Sequence, residues 1–262
     1  MIISENDIND LKIAKSFLES SGLAAKMVHT FGISVEKGLE YLPERWEKRI
    51  VSLSESALKS AIEIAIYTLK TNASEINNHS SDTFHKLCVA ASGGVGGAFG
   101  FSTLAVELPI TTTLMLRSIA DIARSEGENL DDIEPRLACL EVFALGNNKK
   151  DEDASETSYY VVRAALSNAI INASRYIAQT SIIDDSAPIL LKFISTIASR
   201  FGVVVSEKMA ATALPIIGAA GGALINTLFM DHFQDMARGH FTVRRLERAY
   251  GLDVVREAYE LL

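Results

Sequence analysis

Proline is scarce in this sequence, five in 262 residues, and β-branched runs are short. With so few breakers, apolar residues recur at three- and four-residue spacing along most of the chain, which predicts a nearly all-helical protein. Cysteine is scarcer still. Cys88 and Cys139 lie in apolar surroundings with no CxxC spacing, so a disulfide framework is excluded and two reduced, buried thiols are expected. An excess of positive charge is also missing. The net charge is −8 and the pI about 5.2, which argues against nucleic acid as a partner and gives the chain no overall attraction to anionic lipid. The opening MIISENDIND lacks the basic start and apolar core of a secretory signal, and cytoplasmic residence is the expected default.

What is present reads as one all-α domain, with residues 1–80 as an amino-terminal helical segment packed on a core formed by residues 81–262. Leu11, Ala14 and Leu18 mark a first helix, with Gly22 as its stop, and a second runs from Leu23 to Leu39. Ser52 and Glu55 have capping-box spacing ahead of Leu58, Ile62 and Leu69. Phe84 to Leu108 predicts another helix, with a restart at Pro109 and a run to Ser125 that Gly127 ends. Asp131 and Glu134 cap a helix to Leu145, stopped by Gly146. SYYVVRAALSNAIINASRYIAQ, then Ile189 to Leu214, then a long segment to Tyr250 and a short last helix complete the chain. A shift of 124 residues sets Gly94 on Gly218, Gly97 on Gly221, Glu107 on Asp231 and Gly127 on Gly251, a sparse pattern of the kind a weak internal repeat leaves.

The stretch ASGGVGGAFGFSTLAVELP concentrates Gly93, Gly94, Gly96, Gly97 and Gly100. It is not a phosphate loop, because no lysine follows the glycines, and Phe99 stands where a dinucleotide turn needs its third glycine. Leu104 ends the nucleophile-elbow pattern that Gly100 and Ser102 begin. Leu87 to Val106 and Met209 to Met230 carry no charge, yet small residues fill both, and a mean hydropathy of +0.18 is low for a membrane protein. Gly93 and Gly97, Gly96 and Gly100, and Gly218 and Gly222 are spaced by four. This predicts two central helices, with Gly221 beside the last pair, whose bare faces pack closely or meet an acyl chain.

Several ionisable residues stand inside apolar helical runs: Glu107, Arg117, Asp121, Glu141, Arg163 and Asp231. They are expected to form a buried salt-bridge network or a polar site. His232 and Asp235 are three apart, but HExxH and ExxH are both missing, so no metal and no cofactor is expected. His29, His79 and His240 read as ordinary surface or helix-end residues. Arg244, Arg245 and Arg248 follow the uncharged Met209–Met230 run and are read as a basic patch for anionic headgroups.

GGVGGAFGFSTLAVELPITTTLMLRSIADIARSEGENL, followed by RLACLEVFALG, YYVVRAAL and ALPIIGAAGGALINTLFMDHF, resembles the EcsC-like family of bacteria. The resemblance runs from Val89 to Gly251 and rests on the glycine cluster with Glu107, Arg117, Gly127, Glu141, Tyr160 and Arg163. The family is named after a protein encoded beside an ABC transporter linked to secretion and competence, and a hydrolase-like activity has also been suggested for it. The expected function is a non-enzymatic protein peripheral to the inner membrane face, accessory there to ABC transport, secretion or envelope homeostasis, with lipid or a membrane transporter as partner. A hydrolase using Glu107, Asp121, Glu141 or Asp231 is the alternative, and a soluble interaction module is a third.

Overall fold

A computed structural model describes residues 3–20, 22–32, 46–67, 104–146, 159–180, 187–213 and 218–262, together with positions 38, 40, 42 and 69. Among the described residues there are nine helices and no strand: α1 Glu5–Leu18, α2 Leu23–Phe31, α3 Trp46–Tyr67, α4 Leu104–Ser125, α5 Ile133–Leu145, α6 Tyr159–Thr180, α7 Pro188–Thr212, α8 Gly218–Tyr250 and α9 Leu252–Leu261. The all-α expectation therefore holds.

Most boundaries follow local chemistry. Gly32 ends α2 in a left-handed conformation, short of the expected Leu39, because glycine alone enters that region without penalty. Gly127 and Gly251, aligned by the 124-residue shift, both take positive φ just past the ends of α4 and α8. Two boundaries differ from expectation. The helix expected to open at Ser52 already runs from Trp46, and α4 passes through Pro109 instead of restarting there. The turn before that proline is anchored by packing, with Leu104 and Leu108 buried.

The long helix α8 spans 33 residues, about 50 Å. Helix α4 runs parallel to it, since Glu107 meets the Lys208–Phe229 contact, Ser118 meets Gln234 and Glu126 meets Arg245 in the same order along both helices. Phe143 of α5, Phe201 of α7 and Phe233 of α8 stack edgewise with centroids 5.0–5.6 Å apart at the centre of the core. Helix α3 lies against α4, α5 and α7. Its last carbonyls are capped by two arginines: Arg136 donates to Ile66 at 2.6 Å and Arg124 to Leu69 at 2.9 Å. Cations at a helix C-terminus are favourable.

Of the helices described, α7 is the one long and apolar enough to cross a membrane, but half of that stretch is buried by its neighbours, as in a core helix. The glycine-wall prediction falls largely outside the described residues: Gly93, Gly94, Gly96, Gly97 and Gly100 are not among them. Gly218 opens α8, where Gly221 is half-buried and Gly222 buried. A close glycine contact does occur elsewhere. Helix α1 crosses α8 at Gly239, where a Cβ would lie 2.6 Å from Leu18 Cγ and 2.9 Å from the Ala14 carbonyl.

This contrasts with Gly202 in α7, where an added Cβ would meet Val51 at an ordinary 3.5 Å. Gly202→Ala should stabilise by up to about 1 kcal/mol through helix propensity. Gly239→Ala should destabilise, because about 1–3 kcal/mol of overpacking exceeds the same gain. Urea unfolding midpoints check both signs.

Candidate functional site

His240, Arg244, Glu247 and Arg248 share one face of α8, at spacings of three, four and seven. Around them the described residues form a continuous polar seam. At its inner end the Tyr159 hydroxyl lies 2.9 Å from His240 Nδ1, and His240 Nε2 lies 3.7 Å from Glu141 Oε2. The three are 5%, 0% and 3% exposed. Arg163 holds Glu247 with both terminal guanidinium nitrogens, at 2.7 and 3.0 Å, and lies over the Tyr159 and Tyr160 rings. The Tyr160 hydroxyl adds a hydrogen bond to Glu247.

At the outer end Arg244 grips Glu128 and Glu134 in two bidentate pairs of 2.7–3.2 Å. Arg248 also donates to Glu128 and to the Glu126 carbonyl. Arg245 reaches Glu126, Asp7 and Asp10, and the Tyr250 hydroxyl donates to Asp7. Burial alone would raise the Glu128 carboxyl, but Arg244 and Arg248 together hold it below its ordinary range.

The inner chain has a different balance. Burial pushes Glu141 up to about 7, against the opposing pull of Arg163 and Arg244 and with the help of Glu134 and Glu247. Burial, with Arg163 and Arg244 nearby, keeps His240 neutral, far below its ordinary value, and burial raises the Tyr159 hydroxyl. A protonated Glu141 suits a bare Nε2, with Nδ1–H donating to Tyr159. An ionised Glu141 suits the other tautomer. Hydroxyl, imidazole and carboxyl follow the order used in nucleophilic hydrolysis, but here the described residues enclose the hydroxyl.

The expected polar site is thus divided. Glu141 and Arg163 come together, joined by Tyr159 and His240. Glu107 does not join them: it pairs at 2.6 Å with Lys208, whose side chain is 1% exposed and whose ammonium sits 4.9 Å from the Phe229 ring centroid. Arg117 is exposed, contrary to its expected burial, because it lies on the outer face of α4. Asp121 pairs with its neighbour Arg124 at 2.9 Å. Asp231 is half-buried on α8, about 13 Å along the helix from His240.

The basic-patch expectation is corrected too. Arg244, Arg245 and Arg248 are all bound to carboxylates, and Arg244 lies about 30 Å along α8 from the exposed Leu224. Nor is His240 a surface residue. His232 is also fully buried, bonded to the Gly146 carbonyl at 2.8 Å, and burial lowers it to about 4. Asp235 instead pairs with Lys26 and Arg238, so His232 and Asp235 do not converge. Among the described residues no group of three His, Cys, Asp or Glu side chains is placed to hold a metal. Cys139 is a free, buried thiol raised to about 12 by burial.

The sequence model of the EcsC protein family matches residues 20–246. The chain belongs to the EcsC family. Comparison with curated proteins and with solved structures finds no match. In this EcsC protein the matched range takes in α2 to α7 and most of α8, and leaves out α9. Sequence reasoning missed Tyr159, His240, Glu247, Glu128 and Lys208. The available signals were helical spacings: Tyr159 stands four before Arg163, and His240 four before Arg244.

The Glu141 shift sets a pH dependence. Its folded value lies above the ordinary 4.5, so the folded state holds a proton that the unfolded chain releases. That stability is fully present below about pH 4.5 and is lost as the pH rises through about 7. Between about pH 5 and pH 8 wild type should lose up to about 3 kcal/mol from this group, and Glu141→Gln should flatten that slope in urea unfolding. An unchanged slope would count against it.

Proposed function

We propose that this protein is a non-enzymatic, cytoplasmic member of the EcsC family that attaches peripherally to the inner membrane face and serves transport, secretion or envelope homeostasis there as an accessory. The attaching surface is the end of the bundle where α4 and α8 begin. The observation that carries this reading is the exposure of Val106 (68%), Ile110 (49%) and Leu224 (41%) in the first two turns of those two parallel helices. Counted back from the Ser118–Gln234 contact, Val106 and Leu224 lie about 18 and about 15 Å along their helices, at matching heights. The uncharged runs 87–106 and 209–230 lead into these same turns.

The attraction is apolar. Lys208, a cation near this end, is buried and neutralised by Glu107, and the clustered arginines at the far end are held by carboxylates. Burying three such side chains contributes about 3–5 kcal/mol. That supports reversible attachment of the kind a single acyl chain gives.

Sedimentation with vesicles tests this. Wild type should pellet equally with phosphatidylcholine vesicles and with vesicles containing phosphatidylglycerol, and added salt should not release it. Val106→Asp combined with Ile110→Asp should abolish pelleting without lowering the melting temperature. A protein that stays in the supernatant with both vesicle types, or one that pellets only with anionic lipid and is released by salt, would overturn the reading.

A further inference from the structure

The first turn of α4 is attached unusually. Pro109 has no N–H, so the carbonyl of Ala105 lacks its helical donor and the turn before the proline is joined to the rest of α4 by a weakened ladder. In that turn Leu104 and Leu108 are buried (1% and 0%), while Val106 faces out. Glu107 ties the turn to the end of α7 through its 2.6 Å bond to Lys208. Among the described residues the turn after the proline has no comparable tie: the Thr111 and Thr112 hydroxyls are buried without a hydrogen-bond partner, a costly arrangement that packing must support.

We propose that the Glu107–Lys208 ion pair is a latch. It holds Leu104–Leu108 down in water, with Pro109 as the hinge, and contact with a phospholipid surface releases it. This rests on the membrane reading above and supplies its regulation. In water the closed state is favoured, because opening would expose Leu104 and Leu108. At a lipid surface these two side chains join Val106 and Ile110 in the apolar phase, and the population shifts to the open state. Glu107, at 13% exposed, already borders solvent, whereas Lys208 at 1% does not, so the carboxylate is the side of the pair that moves out.

The test reads opening in solution and attachment separately. A Leu108→Cys thiol is alkylated and followed at that position by mass spectrometry, and the buried Cys139 in the same sample reports global opening. Glu107→Gln should raise labelling at position 108 about tenfold while Cys139 stays at its wild-type rate. Lys208→Met should do the same without leaving an unpaired buried cation. Pro109→Ala restores the missing donor and should slow labelling at 108. With phosphatidylcholine vesicles, and without the added cysteine, the two unlatched variants should bind at about tenfold lower lipid and Pro109→Ala at higher lipid than wild type.

Labelling that rises equally at 108 and Cys139 overturns the latch, since the pair would then be a general structural tie. Variants that bind vesicles just as wild type does also overturn it. If wild type and all variants fail to bind vesicles, the membrane reading falls, and lipid release of the latch with it. The labelling pattern then decides by itself whether a hinged turn exists.

Discussion

Glu128 cannot remain ionised where it sits, 3% exposed by its side chain, unless a cation is brought to it. Two are: Arg244 and Arg248, one turn apart on α8. Removing one partner of such a buried pair costs about 3–5 kcal/mol, mostly because the other is left charged and unpaired. The demand of one carboxylate in the α4–α5 turn therefore pins the far end of a helix about 50 Å long. A slip of α8 by one residue would move Arg244 off Glu128 and Glu134 and carry His240 away from Tyr159. It would also take Gly239 from beneath α1. The bidentate geometry matters, because a lysine point charge would fix neither direction nor register.

That constraint divides the molecule by chemistry. At the α8 carboxyl end cations and carboxylates saturate one another, and both chain termini are drawn in: α1 through Asp7 and Asp10 on Arg245, and α9 through the Lys15 bond to the Tyr259 carbonyl. Near the amino end of α8 the Glu107–Lys208 pair is a buried polar tie among the described residues, and aliphatic side chains face outward. A surface meant to attract anionic headgroups would keep its arginines free. Here they are held by acids.

How much of this the sequence discloses depends on the kind of information required. Periodicity shows which residues share a helix face, so the helices, the stops at Gly127 and Gly146, and the burial of Glu141 were legible. Periodicity does not show which helix lies opposite. Arg117 and Arg163 look alike in their apolar runs, yet one faces out and the other meets Glu247, because α4 and α6 present those faces to different neighbours. His240 was misjudged for the same reason: its charged company on α8 suggests a surface, but the arginines beside it are themselves half-buried on acids. Gly239, isolated in a polar stretch, is the glycine that lets α1 approach, and nothing local marks it. Pro109 read as a restart because a proline interrupts an isolated helix. In the fold, the packing of Leu104 and Leu108 carries the helix across it.

Glu128 and Glu141 show why the seam has two characters rather than one. Both are buried acids within reach of Arg244. The guanidinium satisfies Glu128 by direct hydrogen bonds, while Glu141 feels it only at a distance. The fork closed on Glu128 and Glu134 spends four of its five N–H donors on those two acids. Glu141 is therefore left with an imidazole that burial keeps neutral, and a neutral ring cannot hold a carboxylate charged. The outer seam stays ionic over the ordinary pH range and fixes register. The inner seam gains or loses a proton near neutrality through Glu141. Adding a second cation inside would remove that titration, but it would place a further charge among Phe241, Tyr159 and Tyr259. A charge buried there carries a large desolvation penalty, and Glu141 stays protonated below about pH 7.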